Sequence, residues 1–451
     1  MAGGGFAIDA PSNGYDGKIT LSVIITCIVA ASSGLIFGYD VGISGGVTTM
    51  EPFLKKFFPD ILRRKTIDID VNMYCVYDNQ MLTLFTSSLY LAALVSSLVA
   101  SKVTTIMGRR NTIILGGIIF LVGAAINGGS ENITMLILGR ILLGFGIGFT
   151  SQATPLYLSE IAPPKWRGAF NSGFQLFIGI GVVAAVCINY ATAKHTWGWR
   201  LSLGLAVVPA AVMTIGAFLI TDTPNSLVEH GNIDQARKAL HKIRGSSIDI
   251  EPELEELIKW TKIAKSVQQE PFMTIFERQY RPHLIMAFAI PFFQQLTGIN
   301  IVAFYSPNLF QSVGFGNTRA LLCVIILGLV NFASIIVSAA FVDHFGRRFL
   351  FIIGGILMLF CLIAVSTLLA LVTGVHGTNN ISKANAIAVL VLLCFYGAVM
   401  TLFIIFFLPE TKGIALESMY IIWGKHWFWK RFVKEEVLTR KIIHEGDDDL
   451  I

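Results

Sequence analysis

Ten uninterrupted apolar stretches, each long enough to cross a bilayer, lie near 20–39, 81–101, 111–129, 134–156, 170–192, 200–220, 283–303, 319–342, 349–373 and 386–408. A hydrocarbon core about 30 Å thick needs about 20 helical residues to span it, and it offers backbone groups no water to bond. The expected fold class is therefore an all-α membrane protein. Composition agrees: 54% of the 451 residues are hydrophobic and only 14% charged, where a soluble domain carries about a quarter. The charge sits between the apolar runs. The net charge of +5 thus belongs to the loops and is no argument for nucleic acid.

Basic residues set the expected orientation. With the amino terminus inside, 24 of the 34 Lys and Arg fall on inner segments, which predicts that both termini are cytoplasmic. The polar, Gly-rich start precedes a full-length first span, so no cleaved signal is expected. Segment 51–79 is outer yet holds five basic residues. It also holds Glu51, Asp60, Asp68, Asp70 and Asp78, and reads as a small folded cap. Cys75 lies in that cap; the other five cysteines fall inside spans, where a thiol is usually a small buried apolar group. The charged stretch 221–281 reads as amphipathic helices joining a six-span bundle (1–220) to a second bundle (282–408), followed by a polar tail (409–451). Gly144, Gly146 and Gly148 in the fourth span predict close helix packing rather than a phosphate loop.

The chain repeats itself. Gly108-Arg109-Arg110 and Gly346-Arg347-Arg348 each follow a span, 238 positions apart. Each is followed by a second signature, Asp222-Thr-Pro-Asn-Ser226 and Leu408-Pro-Glu-Thr-Lys-Gly413. From Arg110 to Pro224 is 114 positions, but from Arg348 to Pro409 only 61. The second half is shorter by 53 positions, about two crossings with their connections. Four spans are accordingly expected there, against six in the first half.

Few polar groups lie at membrane depth. Asp40 stands at the outer end of the first predicted span and Arg140 within the fourth. An isolated ionised group there costs several kcal/mol, so the two are expected to pair. Beside the guanidinium the carboxylate stays ionised; pulled away and desolvated, it takes a proton. A static ion pair bracing two helices explains the same spacing. Gln175, Gln294, Gln295, Asn300 and Asn331 are amides in apolar spans. They offer the paired donors and acceptors that suit a polyhydroxylated ligand such as a sugar, and also those that hold helices together. Gln294, Gln295 and Asn300 share a span broken by Pro291 and Gly298, as helices lining a cavity often are. Phe292, Phe293, Phe304 and Tyr305 could stack on a sugar face or meet lipid. Glu160 and Arg167, with Arg109, Arg110, Arg347 and Arg348, fall on the inner face and read as an inter-helix ion-pair network.

Pro155-Leu-Tyr-Leu-Ser-Glu160 with Arg167-Gly168, the doubled Gly-Arg-Arg, Gln294-Gln-Leu-Thr-Gly-Ile-Asn300 and Pro409-Glu-Thr-Lys-Gly413 together resemble the sugar-porter branch of the major facilitator superfamily. The amino terminus, Gly38-Tyr-Asp-Val-Gly-Ile-Ser-Gly-Gly46, the Cys-bearing cap and Asp222-Thr-Pro-Asn-Ser226 resemble the plant sugar transport protein family. That resemblance implies a monomeric proton/monosaccharide symporter of the plasma membrane working by alternating access, without a cofactor. It implies Asp40 as proton acceptor and Arg140 as its partner. It further implies Gln175, Gln294, Gln295, Asn300 and Asn331 as sugar-binding amides, Phe37 and Val41 as first-span neighbours of the sugar, and Cys75 as half of an outer bridge. Family members have twelve spans. Here Val389–Phe395 resembles the start of the tenth and Val399–Pro409 the end of the twelfth, which leaves the second bundle reduced. A non-transporting variant or sensor, or a uniporter without proton coupling, therefore stands beside the symporter reading. An enzyme is not expected, since no metal spacing, nucleophile elbow or phosphate loop stands out.

Overall fold

The computed structural model describes residues 20–67, 79–163, 167–245, 249–267, 276, 278–296, 307, 317–376, 407–409 and 419–433. Those residues form helices and turns, with no strand among them. The chain divides into two compact units. One holds 12–266 and 300–339, the other 267–299 and 340–451.

In the first unit, α1 (Leu21–Ala31) and α2 (Ser33–Val47) meet at Ser32 and form one 27-residue apolar run. This corrects the predicted boundary at 39. Five glycines between 34 and 46 read as helix breakers, yet tertiary contact overrides propensity. Gly34, Gly38, Gly42 and Gly46, four residues apart, form one stripe on α2. A methyl group on Gly38 would overlap the Ile178 backbone, and one on Gly46 the Asn189 amide. Both partners lie on α8 (Arg167–Thr192). Asp40 consequently sits inside a helix rather than at its end.

Two short helices, α3 (Glu51–Phe57) and α4 (Pro59–Ile67), form the described part of the expected cap. Trp199 packs edge to face against both Phe53 and Phe57, which are tilted to each other, with ring centres 5.2–5.9 Å apart, and the three anchor α3 on the bundle. Three long helices follow: α5 (Gln80–Met107), α6 (Arg109–Gly128) and α7 (Ile133–Ile161). Gly144 of α7 lies against the Leu89 carbonyl and Gly148 against Ser96, both on α5, while Gly146 approaches the Gly116 carbonyl on α6. The fourth-span glycines are thus packing surfaces, as expected. A final crossing is made by α9 (Gly198–Gly204) with α10 (Val207–Leu219).

The charged stretch folds into α11 (Pro224–Glu229), α12 (Ile233–Arg244) and α13 (Glu251–Val267). Val228, Ala236, Leu240, Ile250 and Leu254 form its own small core. Arg237 pairs with Glu251 at 2.8 Å and Arg244 with Glu253 at 2.7 Å across α12 and α13.

Beyond it lie α14 (Arg281–Leu296), α15 (Asn317–Phe345), α16 (Arg347–His376) and α17 (Met419–Lys425). Gly179 of α8 faces Phe332 and Ile335 of α15, which assigns most of α15 to the first unit. Within the second unit, Met286, Trp423, Trp429 and Val433 form a core around α14 and α17. Seven described helical runs are long and apolar enough to cross a membrane: six up to Leu219, then Arg319–Ser338. The predicted span 386–408 lies almost wholly outside the described residues.

Gly108 and Gly346 both adopt φ +87°, each immediately ahead of the helix that the two arginines open. The sequence repeat is therefore also a conformational repeat, in backbone that favours glycine. Of the span cysteines, Cys27 is buried, Cys323 half-buried, and Cys187 and Cys361 exposed on helix faces. The burial expected of thiols in spans thus holds for Cys27 and not for Cys187 and Cys361, which are exposed among the described residues. Cys75 and Cys394 lie outside the described residues.

Candidate functional site

Asp40 and Arg140 meet. Arg140 Nη1 donates to Asp40 Oδ1 at 2.7 Å and to Ser44 Oγ at 2.9 Å, while Ser44 Oγ donates to the Asp40 carbonyl at 2.7 Å. Asp40 is 4% and Arg140 1% exposed. The guanidinium carbon lies 4.2 Å from the Phe85 ring centre, a cation–π contact that helps seat a charge away from water. Three helices thus hold the pair: α2 gives the acid and Ser44, α7 the base, α5 the ring. Nε and Nη2 of Arg140 are buried and take no hydrogen bond among the described residues, which leaves the guanidinium only partly satisfied by them. A carboxylate with one strong partner, in a site this dry, is stable only while that partner stays.

Phe37 and Val41, one turn apart on α2, are half-buried. Gln175 is exposed on the neighbouring α8. Its flanking positions Phe174 and Ile178 face α2, while Gly179, one turn on, faces α15. Asn331, exposed, precedes Phe332 on that same α15. Gln294 and Gln295 are exposed on α14 in the other unit, and Phe292 and Phe293 touch there with ring centres 5.8 Å apart. Asn300, Phe304 and Tyr305 lie outside the described residues.

The inner-face network centres on Arg109, which is 1% exposed. Its Nη2 donates to Glu160 Oε1 at 2.8 Å and its Nη1 to Glu229 Oε2 at 2.5 Å. Glu160 Oε2 also accepts from Thr223 Oγ1 at 2.5 Å. One guanidinium thereby ties the start of α6 to the end of α7 and to α11. Arg110 acts differently. Its backbone N–H donates to Asp222 Oδ1 at 3.1 Å, and its side chain caps the Ala217 and Phe218 carbonyls at the end of α10. Arg110 therefore makes no bond to Glu160; it closes a helix terminus, whose last carbonyls lack intrahelical donors. Arg167 and Arg347 open α8 and α16, but their side chains, and all of Cys75, fall outside the described residues. Arg348 is half-buried.

Sequence reasoning missed Ser44, Phe85, Thr223 and Glu229. Thr223 lay within the Asp222-Thr-Pro-Asn-Ser226 motif, and that membership was the available signal. Glu229 sits 120 positions from Arg109 in a charged stretch and carried none.

Comparison with known proteins gives a consistent picture. Residues 26–401 match the family described as Sugar (and other) transporter. The chain is 52% identical to Sugar transport protein 5 of Arabidopsis thaliana, an alignment covering 96% of this chain and 99% of the relative. It is 45% identical to Sugar transport protein MST3 of Oryza sativa subsp. japonica, covering 96% of each. The first alignment runs over 503 positions, more than the 451 residues present here, so the relative has residues without counterparts in this chain. Among solved structures, the major facilitator superfamily proton:xylose symporter XylE bound to 6-bromo-6-deoxy-D-glucose superposes with a TM-score of 0.73 at 22% identity, covering 89% of this chain and 99% of that one. That likeness establishes the major facilitator fold.

Proposed function

This chain belongs to the sugar (and other) transporter family, and on that premise we propose that it carries a monosaccharide, a hexose, together with a proton across the plasma membrane by alternating access. The observation that carries this reading is the buried Asp40–Arg140 pair at 2.7 Å. A proton arriving on Asp40 removes the charge that Arg140 holds. The pair then loosens, and α2 becomes free to shift against α7. Gln175, Gln294, Gln295, Asn300 and Asn331 would hydrogen-bond the sugar, with Phe37 and Val41 beside it. The Arg109–Glu160–Glu229 contacts, with Arg167, Arg347 and Arg348 as further charges and Arg110 fixing the end of α10, would stabilise one conformation at the inner face and open in the other.

The proposed organisation is a six-helix bundle over 1–220 with an outer cap at 51–79, a cytoplasmic linker at 221–281, a reduced bundle at 282–408, and a tail at 409–451. The protein would act as a monomer with both termini in the cytoplasm, Cys75 facing outward. The names of the relatives and of the proton:xylose symporter point the same way, and no covalent chemistry on the sugar is implied.

The 503-position alignment favours one second reading: a descendant that has lost transport, or that senses sugar without moving it. Uptake of labelled glucose by transport-deficient yeast separates the two. Accumulation by the chain as it stands supports the carrier. Accumulation only after the missing spans are grafted from a full-length relative supports the second reading. A uniporter would equilibrate the sugar without concentrating it, at any external pH.

A further inference from the structure

A groove of about 700 Å³ opens beside the ends of two membrane-crossing helices, and its walls divide by chemistry. Met107, from the end of α5, and Phe218 and Leu219, from the end of α10, supply an apolar rim. They are 47%, 55% and 75% exposed. Arg110, Lys238 and Lys242 supply cations, with Asn111, His230, Asn232 and Gln235 among them. Among the described residues Asp222 is the one acid lining the groove, and its oxygens are already engaged. Oδ1 accepts from the Arg110 and Thr223 backbone N–H groups, and Oδ2 from Ser226 Oγ at 2.7 Å. His230 is likewise occupied, with its ring nitrogens against the Ser226 and Ile106 carbonyls at 2.6 and 2.9 Å.

Helix α12 sorts its cations. Arg237 and Arg244 turn to α13 and pair with Glu251 and Glu253. Lys238 and Lys242, one turn apart on one face, are exposed, line the groove and take no ion pair among the described residues. Beneath them Arg110 spends Nε and Nη2 on the α10 carbonyls. The result is a concentration of positive charge with no free anion beside it among the described residues, directly beyond apolar side chains at the level where helices leave the hydrocarbon. Phosphate groups of a bilayer lie at that level, and lysines there attract anionic lipids.

We propose that this groove holds the headgroup of an anionic phospholipid, its phosphate between Lys238, Lys242 and Arg110 and its acyl chains against Met107, Phe218 and Leu219. The occupied groove would tie α12 to the membrane surface and so restrain the segment that carries Glu229 to Arg109. The apolar rim is what favours a lipid over a soluble phosphate compound, which would use the cations alone.

Native mass spectrometry of the purified full chain in detergent tests this with dioleoyl phosphatidylserine, dioleoyl phosphatidylcholine and glycerol 3-phosphate as probes. The expected result is preferential retention of phosphatidylserine, weakened about fivefold per lysine removed in Lys238→Gln/Lys242→Gln. The control Lys259→Gln/Lys262→Gln removes the same charge from α13 and should leave retention unchanged. Equal retention of both lipids, an equal loss in the control, or binding of glycerol 3-phosphate as tight as that of the lipid would each overturn the proposal. No arm of the experiment uses sugar, so its outcome is independent of whether the chain transports.

Discussion

Asp40 is held by a donor it shares, since Arg140 Nη1 reaches both its carboxylate and Ser44 Oγ. Removing either member of the pair leaves the other buried and uncompensated. Arg140→Gln should therefore lower stability by about 3–5 kcal/mol, and Asp40→Asn/Arg140→Gln by less, read as thermal unfolding midpoints. Equal losses in the single and double variants would contradict the pairing. Thr223→Val strips Glu160 of its hydroxyl partner and should cost about 1–3 kcal/mol by the same measurement. Outside the membrane, Glu131 accepts from Lys56 Nζ at 2.6 Å and also meets Arg200. The Lys56 hydrogen bond is the chief reason its carboxyl lies below the usual range. A depressed folded value means the contact contributes above about pH 4.3, the ordinary glutamate value, and is lost as pH falls through the folded one. Protection of the α3 amides from hydrogen exchange, taken relative to the intrinsic rate at each pH, should thus fall at acidic pH in the native chain and be lower already at neutral pH in Lys56→Gln. The Asp40–Arg140 pair was legible because charges at membrane depth are rare enough to seek each other. Ser44 was not, because a serine among glycines looks like a spacer until the helix is seen to continue through it.

At the scale of elements, glycine decides where helices touch and where they turn. The stripe from Gly34 to Gly46 lets α2 lie on α8 at backbone contact. Gly38→Leu should prevent that approach and abolish the folded protein, seen as loss of the monodisperse peak in detergent chromatography. Gly108 is different in kind. Its φ of +87° disfavours any side chain, and a Cβ would also strike the Asp222 carboxylate that fixes Arg110. Gly108→Ala should cost more than the roughly 1–2 kcal/mol of a left-handed residue alone. The sequence made seven of the ten expected crossings and both Gly-Arg-Arg turns visible, since an apolar run and a repeated motif each have a simple physical cause. It misplaced the end of the first crossing because the apolar run stops at Asp40, and only the neighbour across the glycine stripe shows that the helix continues through it.

For the whole molecule, the duplicated signatures spoke more plainly than any single span. Their unequal spacing exposed a second half shorter by 53 positions, and a relative that aligns over 503 positions carries residues this chain lacks. What no sequence pattern could supply was the tie from Arg109 across to Glu229, because long-range ion pairs leave no local trace. In the proposed mechanism, protonation of Asp40 couples sugar movement to the proton gradient. Proteoliposomes loaded with a pH-sensitive dye measure it directly, by following proton entry when glucose is added outside. The expected result is sugar-dependent acidification by the native chain, or by its span-grafted form, and none by Asp40→Asn in the same background. Sugar-dependent acidification that persists undiminished in Asp40→Asn would contradict it.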